Sequence, residues 1–310
     1  MSLLKKLLSR AAVGLALGLT LFACAWIGGW PWFACVAALT LIALNEYYSA
    51  LEKAKIRPDK WLGWLCAVML LLLTQFGESI SLMAGPQDAA LDYGGIGILA
   101  GAHMLQLSLF VLLFCVAGTL VAQFKLGGEG SAVANSATTV FGVVYIGVLF
   151  TFLIRARYVD IPMLVGNEHT SVLASRLGAL LLILVSVWSC DTAAFICGNL
   201  LGKHKLAPLV SPNKTIEGSA CGLLAAIASA LLVGLWLGLP GRDSIALGAL
   251  MGVIGQVGDL GKSVLKRDLG IKDFSSLFGP HGGVLDRFDA VIVSLPLLYW
   301  YFWFFWLHPL

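Results

Sequence analysis

Charged residues are scarce in this chain. They make up 12% of its 310 residues, whereas 59% of the residues are hydrophobic, and a soluble domain normally carries about a quarter charged residues. A larger core does not explain the difference, because a folded soluble protein still needs a polar surface. The apolar residues also come in long blocks, and a helix that crosses a bilayer needs about 20 of them. The composition therefore predicts a membrane protein and excludes a soluble domain.

Three further features are missing from the sequence. The formal charge of +3 is too small to indicate nucleic-acid binding. The seven cysteines lie within apolar blocks, with no Cys-x-x-Cys pair and no histidine-rich ligand spacing, which predicts free thiols packed between helices. No internal repeat is visible, so the inverted-repeat signature of many transporters is also missing.

The apolar blocks predict an all-α, polytopic integral membrane protein with about nine transmembrane helices. Glu46 and Glu78 lie near the ends of the second and third spans, which makes these two the least regular. Lys5, Lys6 and Arg10 before the first span resemble the start of a signal peptide, but further spans follow at once and favour an uncleaved helix. The expected spans are 11–28, 31–50, 61–82, 99–122, 135–154, 172–198, 217–238, 243–265 and 287–307.

The positions of lysine and arginine predict the orientation of the chain. With a cytoplasmic N-terminus, both polar segments that could hold chemistry face the cytoplasm. We expect residues 1–170 to form a membrane scaffold of about five helices, and residues 171–310 to form a catalytic part with two cytoplasmic loops. Of the 20 lysines and arginines, this orientation leaves only four on the outer side, namely Arg155, Arg157, Arg176 and Arg242.

Reactive side chains are concentrated between Asp259 and Asp289. Asp259, Lys262, Ser263 and Lys266 are spaced i, i+3, i+4 and i+7, which on a helix forms one stripe. An ionisable group in a membrane span is costly unless it is paired or hydrated, so it is a functional candidate by default. The spacing therefore predicts a polar face at the cytoplasmic end of the eighth span.

Asp259 and Asp286 are predicted to lie on two helices joined by a loop that is rich in lysine and arginine. Carboxylates suit Mg²⁺, which takes one or two of them together with substrate phosphates, and basic side chains suit the remaining phosphate charge. This is the composition needed for phosphoryl or nucleotidyl transfer. Two alternatives stay open: Asp286 and Asp289 could cap a helix, and His281 is equally well a general base or a residue that orders the loop.

A second polar cluster begins at Asp191, which interrupts an apolar helix well before its end. It continues through Lys203, His204 and Lys205 to the segment SPNKTIEG at 211–218. A buried acid in a span predicts a functional role for Asp191. For the loop residues, a turn, a helix cap and a basic cytoplasmic flank are as good an explanation as substrate binding.

The stretch from Ser263 to Asp289 resembles the signature of the phosphatidate cytidylyltransferases, also called CDP-diacylglycerol synthases. The segments SPNKTIEG and DTAAF extend the similarity over about residues 188–290. Two positions depart from the family pattern: Gly279-Pro280 stand in reversed order, and Asn213 replaces a second lysine, which leaves open a paralogue with another lipid preference. The matching residues are Ser263, Lys266, Arg267, Lys272, Asp273, His281, Gly282, Gly283, Asp286 and Arg287.

The resemblance implies that phosphatidic acid attacks the α-phosphorus of CTP to give CDP-diacylglycerol and pyrophosphate, at the cytoplasmic (inner) membrane of a bacterium. It implies Mg²⁺ held by Asp259 and Asp286, a second cation such as K⁺, and a homodimer. No covalent nucleophile is required, so Ser263 is assigned to binding. The expected catalytic residues are Asp259, Asp286, Lys266 and Asp191. The expected substrate-binding residues are Ser211, Lys214, Thr215, Ser263, Arg267, Lys272, His281, Gly282, Gly283 and Arg287.

Two other classes of protein remain open on the sequence alone. The first is another membrane enzyme that acts on a lipid phosphate or a nucleotide, such as a lipid kinase. Within this class a CDP-alcohol phosphatidyltransferase is disfavoured, because its DGxxAR…GxxxD…D pattern does not occur. The second is a cation-coupled transporter that binds its ion at Asp191 and Asp259. A transporter has no evident need for so many basic residues in one cytoplasmic hairpin.

Overall fold

The computed structural model of the chain describes residues 18–83, 94–125, 131–161, 171–277 and 282–307. The longer secondary-structure elements of the described residues are nine helices and one two-stranded hairpin. The helices are α1 (Gly18–Ile27), α2 (Gly29–Lys53), α3 (Lys60–Met83), α4 (Gly94–Lys125), α5 (Ala132–Tyr158), α6 (Val172–Leu201), α7 (Ile216–Trp236), α8 (Gly241–Asp268) and α9 (Val284–Phe302). The strands β1 (Lys205–Ala207) and β2 (Ser211–Thr215) pair antiparallel between α6 and α7. One π-helical stretch, Val143–Val148, lies inside α5, and another, Trp303–Leu307, extends α9.

Eight of these helices, α2 to α9, are long and apolar enough to cross a membrane. Large apolar side chains such as Leu113 and Leu232 are 68% and 72% exposed on them, as expected for helix faces in contact with lipid. The all-α, polytopic membrane fold is thereby confirmed. The first expected span, 11–28, begins outside the described residues, and its described part forms the short apolar helix α1.

The chain divides into two compact units. One contains the described residues up to Arg155 together with Phe274–Leu285, and the other contains Ala156–Asp273 and the residues from Asp286 onward. The division into a scaffold and a catalytic part concerns function, and it stays a prediction.

In the first unit, two buried aromatic residues tie α2 to α5. The hydroxyl group of Tyr48 donates a hydrogen bond to the Thr139 carbonyl oxygen at 3.0 Å, and the indole N–H of Trp32 donates to the Leu153 carbonyl oxygen at 3.1 Å. Buried polar tips of this kind need a partner. A Cβ atom at Gly63 of α3 would collide with the Tyr48 ring. Helix α3 can therefore pack against Tyr48 of α2 because residue 63 is a glycine.

In the second unit, small residues bring α7 against both α6 and α8. A Cβ atom at Gly248 would lie 2.7 Å from the Cα atom of Ile227, and one at Gly222 would lie 2.8 Å from the carbonyl oxygen of Cys190. Packing between membrane helices depends on such close approach, because lipid offers little hydrophobic driving force. Gly222 and Gly248 therefore allow α7 to approach both neighbours closely. All seven cysteines are free, as predicted.

Candidate active site

The β1–β2 hairpin is anchored to the start of α7. The Glu217 carboxylate accepts hydrogen bonds from the backbone N–H groups of Lys203 (3.1 Å) and His204 (3.2 Å) and pairs with His204 Nδ1 at 2.6 Å. The Thr215 hydroxyl group caps α7 by accepting from the Gly218 N–H group at 3.1 Å. Thr215, predicted as a substrate contact, therefore has a structural partner, and the hairpin fixes the position of the preceding residue, Lys214.

Lys214 forms an ion pair with Asp259, which lies on α8. The other oxygen of this carboxylate, Oδ1, lies 3.2 Å from the ammonium group of Lys262, one turn further along the helix. The hydroxyl group of Ser263 donates to the backbone carbonyl oxygen of Asp259 at 2.8 Å. Asp259 thus connects the hairpin to α8, while the hydroxyl proton of Ser263 is held by the helix backbone.

Lys262 is the central cation of the site. Its side chain is only 6% exposed, and its ammonium group pairs with Asp289 and lies 3.9 Å from Asp286 Oδ1, in addition to its contact with Asp259. It also donates a hydrogen bond to the backbone carbonyl oxygen of Asp286 at 3.1 Å. Burial of a charge costs several kcal/mol unless it is paired with good geometry. One ammonium group therefore neutralises carboxylates from both α8 and α9.

Lys266 lies one turn beyond Lys262 and pairs with the same carboxylate of α9. Its ammonium group is 3.0 Å from Asp286 Oδ1 and 3.9 Å from Asp273 Oδ1. The side chains of Lys266 and Asp286 are 13% and 7% exposed. The sequence prediction that Asp259 and Asp286 are separated by cations agrees with these contacts.

Asp191 on α6 lies close enough to this cluster for the charges of Asp259, Lys214 and Lys262 to act on its carboxyl group. The adjacent residue, Cys190, accepts a hydrogen bond from the Gln256 side chain of α8 at 3.5 Å. This contact holds α6 against α8 beside the carboxylates. That Asp191 belongs to the same functional group of residues stays a prediction.

The other predicted binding residues are more dispersed. Arg267 donates through Nε to the backbone carbonyl oxygen of Val210 at 3.0 Å, which ties the turn of the hairpin to the end of α8. Lys272 and Arg287 are exposed, and Ser211 begins β2. Gly282 and Gly283 lie in the loop that leads into α9, within the first unit. His281 lies outside the described residues, as does the pair Gly279-Pro280.

Two members of the cluster were not predicted as site residues. Lys262 was noted only as part of the polar stripe, and helix capping was an open explanation for Asp289. Helix α9 begins at Val284, so Asp289 lies beyond its first turn, and its carboxylate pairs with Lys262. The spacing of three residues between Asp286 and Asp289 was the available signal, because it places both on one helix face.

The carboxylates of Asp259 and Asp286 are the candidate protein ligands for a metal ion. Among the described residues, no three side chains of Asp, Glu, His or Cys are grouped to hold a metal by themselves. Asp259 and Asp286 each contribute oxygen atoms and are each paired with lysines. Mg²⁺ is commonly bound by one or two carboxylates and completed by substrate phosphates and water. The donor set therefore fits Mg²⁺ together with a phosphate substrate, and it does not fit a closed protein cage.

Acidic and basic side chains thus alternate at one end of a set of membrane helices, an arrangement suited to a metal and to phosphate groups. This defines a polytopic membrane protein with a candidate site for a phosphate-bearing substrate.

Similarity to known proteins identifies the family of this chain. The model of the Cytidylyltransferase family matches residues 8–305, and the chain belongs to this family. It is therefore a nucleotidyltransferase.

The similarity to individual relatives extends over most of the chain. A phosphatidate cytidylyltransferase of Synechocystis sp. is 30% identical over 306 residues, which are 94% of this chain and 94% of that protein. The phosphatidate cytidylyltransferase of Brucella suis biovar 1 is 35% identical over 253 residues, 77% of this chain and 86% of that protein. The one of Mycobacterium bovis is 33% identical over 298 residues, 92% and 85% of the two chains. Residues 8–170, which the sequence motifs left unassigned, are thus part of the same family match.

Proposed function

We propose that this chain is a phosphatidate cytidylyltransferase that makes CDP-diacylglycerol. A phosphate oxygen of phosphatidic acid attacks the α-phosphorus of CTP, a new P–O bond forms, and the bond from the α-phosphorus to the bridging oxygen breaks. The leaving pyrophosphate takes the electron pair. The observation that carries the proposal is the cluster of three aspartates and three lysines between β2, α8 and α9, which matches this charge distribution.

Transfer of a nucleotidyl group depends mainly on positioning and on neutralisation of charge. CTP and phosphatidic acid are both anions, so they repel one another unless cations lie between them. Lys214 and Lys266 are the more exposed lysines of the cluster, at 28% and 13% of their side chains. They can exchange a carboxylate partner for a phosphate. Lys262 is nearly buried and offsets the mutual repulsion of the carboxylates that it contacts.

The proposed cofactor is Mg²⁺, with Asp259 and Asp286 as its protein ligands. When bound, it would neutralise phosphate charge on CTP and stabilise the leaving pyrophosphate. Lys214 pairs with Asp259 and Lys266 pairs with Asp286, so each of these carboxylates has a lysine beside it. A second cation such as K⁺ is implied by the family resemblance alone and stays an expectation.

The proposed location is the bacterial cytoplasmic membrane, with the active site facing the cytoplasm. CTP arrives from water and phosphatidic acid from the bilayer, so a site at the ends of membrane helices serves both. The placement of lysine and arginine supports this orientation. A reporter fused to the C-terminus tests it, because nine spans place that terminus outside. Activity of a cytoplasm-specific reporter there contradicts the topology. A homodimer is part of the proposal and can be checked by mass measurement in detergent.

The decisive assay uses the purified full-length protein with α-labelled CTP and phosphatidic acid, with and without Mg²⁺. We expect labelled CDP-diacylglycerol and an equal amount of pyrophosphate, both dependent on Mg²⁺. Transfer of the γ-phosphate instead would identify a lipid kinase. A reaction with another lipid phosphate but not with phosphatidic acid would identify a paralogue. Absence of pyrophosphate with every lipid, together with ion flux in vesicles, would favour the cation-coupled transporter.

A further inference from the structure

Glu46 is a buried carboxylate in α2 for which the proposed chemistry has no use. The residue is 5% exposed. Its Oε1 atom accepts hydrogen bonds from the Ser275 hydroxyl group (2.5 Å) and the Val284 N–H group (3.0 Å), and its Oε2 atom accepts from the Leu285 N–H group (3.0 Å). Burial of a carboxylate is costly, and this arrangement of donors compensates for it. The contacts are therefore specific and not incidental.

Val284 and Leu285 are the first two residues of α9. The first N–H groups of a helix have no partner within the helix, and the N-terminal end carries a partial positive charge. A side chain near the start of the same helix usually binds these groups. Here a carboxylate from α2, more than two hundred residues away in sequence, takes that role.

Gly282 and Gly283 directly precede α9, and each has a conformation or a contact that requires glycine. A Cβ atom at Gly283 would coincide with the carboxyl group of Glu46. Gly282 has a φ angle of 76°, a conformation that side chains with a Cβ atom rarely adopt. Both glycines were predicted as substrate contacts. The structure gives each of them a structural role as well: Gly283 leaves room for the Glu46 carboxyl group, and Gly282 permits the positive φ angle.

Phe274, which lies near the end of α8 and before the loop that leads into α9, also contacts α2. Phe274 is buried, and its ring lies 6.4 Å from the ring of Tyr47, the residue after Glu46. Tyr48 is in turn hydrogen-bonded to Thr139. Consecutive residues of α2 thus contact Phe274 and Ser275 at one end of the connection and the first two residues of α9 at the other, and α2 itself is fixed by α5.

We propose that Glu46 is a positioning residue for the nucleotidyl transfer. It holds the loop and the first turn of α9, and Asp286 follows Leu285 directly in the chain. A displacement of Val284 and Leu285 would therefore be transmitted through a single peptide bond to Asp286. This inference rests on the proposed function, since it assigns Asp286 to Mg²⁺. It also gives the N-terminal helices a role beyond membrane anchoring.

The test compares Glu46→Gln with Glu52→Gln in the full-length protein. Glu52 lies on the same helix, is 48% exposed and pairs with Lys60, so its variant controls for loss of a negative charge on α2. In Glu46→Gln, one acceptor oxygen becomes an NH₂ group that faces an N–H donor. Ser275→Ala removes one of the three donors and serves as a milder variant if Glu46→Gln is poorly folded.

The first readout is amide hydrogen exchange, which needs no activity. We expect the amides of Val284 and Leu285 to exchange at least about tenfold faster in Glu46→Gln, because local opening controls their protection. We expect a smaller increase in Ser275→Ala and none in Glu52→Gln. Unchanged exchange at these amides in both Glu46→Gln and Ser275→Ala would overturn the proposal.

The second readout is the Mg²⁺ concentration that gives half-maximal activity. We expect it to rise about tenfold in Glu46→Gln, the scale on which residues behind a metal ligand affect its affinity, and excess Mg²⁺ should restore part of the activity. A merely structural role would lower the amount of active enzyme and leave this concentration unchanged, which would contradict the positioning role. If the wild-type protein makes no CDP-diacylglycerol, the proposed function fails and the positioning role fails with it. Unchanged Mg²⁺ dependence in an active enzyme overturns the Glu46 proposal alone.

Discussion

Lys262 and Asp289 form an ion pair that joins helices α8 and α9 inside the second unit. Both side chains are almost inaccessible, at 6% and 7% exposed. The same ammonium group also contacts Asp259 and Asp286. A single buried lysine thus offsets negative charge on both carboxylates that we assign to Mg²⁺.

Removal of Lys262 should therefore affect stability as well as activity. In Lys262→Met, the carboxylates lose their shared cation, and loss of one partner of a buried ion pair costs about 3–5 kcal/mol. We expect a lower thermal unfolding midpoint in detergent and no measurable turnover. The double variant Lys262→Met/Asp289→Leu should recover part of the midpoint, because it replaces the ion pair with apolar groups. It should remain inactive. Equal midpoints for the single and double variants would contradict the pairing.

The carboxylates assigned to Mg²⁺ are tested by Asp259→Asn and Asp286→Asn. Each change keeps the size of the side chain but removes a negative charge. We expect turnover to fall by at least about 100-fold, the scale of one electrostatic group at a reacting centre, while the protein still inserts into the membrane. Steady-state assays across a range of Mg²⁺ concentrations check this. Near-normal turnover in either variant would exclude that residue as a metal ligand.

The sequence predicts the fold more completely than the site. Within the described residues, the eight expected spans from 31–50 to 287–307 each match a helix that is long and apolar enough to cross a bilayer, since length and hydropathy alone decide whether a segment can cross it. The fixed spacing on one helix predicts that Asp259 and Lys262 meet. Spacing says nothing about which side chain of another helix completes the pair, so the role of Asp289 was missed. Glu46 was noted only as a polar residue near a span end, because a contact between α2 and the start of α9 leaves no local pattern.

Lys214 offers a test of substrate binding that is separate from the metal. It lies on β2 and pairs with Asp259, but 28% of its side chain is exposed. We expect Lys214→Ala to lower kcat/KM for CTP or phosphatidic acid at least about tenfold, because a charge-assisted contact to phosphate is lost. Lys205→Ala, at an exposed position on the neighbouring strand, is the matched control and should change kcat/KM by less than about twofold. Variation of each substrate in turn shows which one Lys214 contacts. Equal effects of the two variants would mean that the hairpin contributes only general positive charge.

Close packing of α7 on α8 provides a prediction about the scaffold of the site. A Cβ atom at Gly248 would lie 2.7 Å from the Ile227 Cα atom and 2.9 Å from the Ala226 carbonyl oxygen. Backbone atoms of a packed helix cannot move aside cheaply, so Gly248→Val must separate the helices. Overpacking of this kind typically costs about 1–3 kcal/mol or more. We expect a lower unfolding midpoint and reduced turnover, since the ends of α7 and α8 carry the hairpin and Asp259.

Gly261 lies on the same helix and supplies the control. Among the described residues, no atom beyond the adjoining part of α8 lies within 4 Å of the position that its Cβ atom would take, and alanine is favoured over glycine in a helix by about 1 kcal/mol. Gly261→Ala should therefore match or exceed the unfolding midpoint of the wild type. Both variants add bulk to α8, so only the contact with α7 distinguishes them. Equal loss of stability in the two would mean that α8 tolerates no added bulk at all, and the specific role of the α7–α8 contact would have to be abandoned.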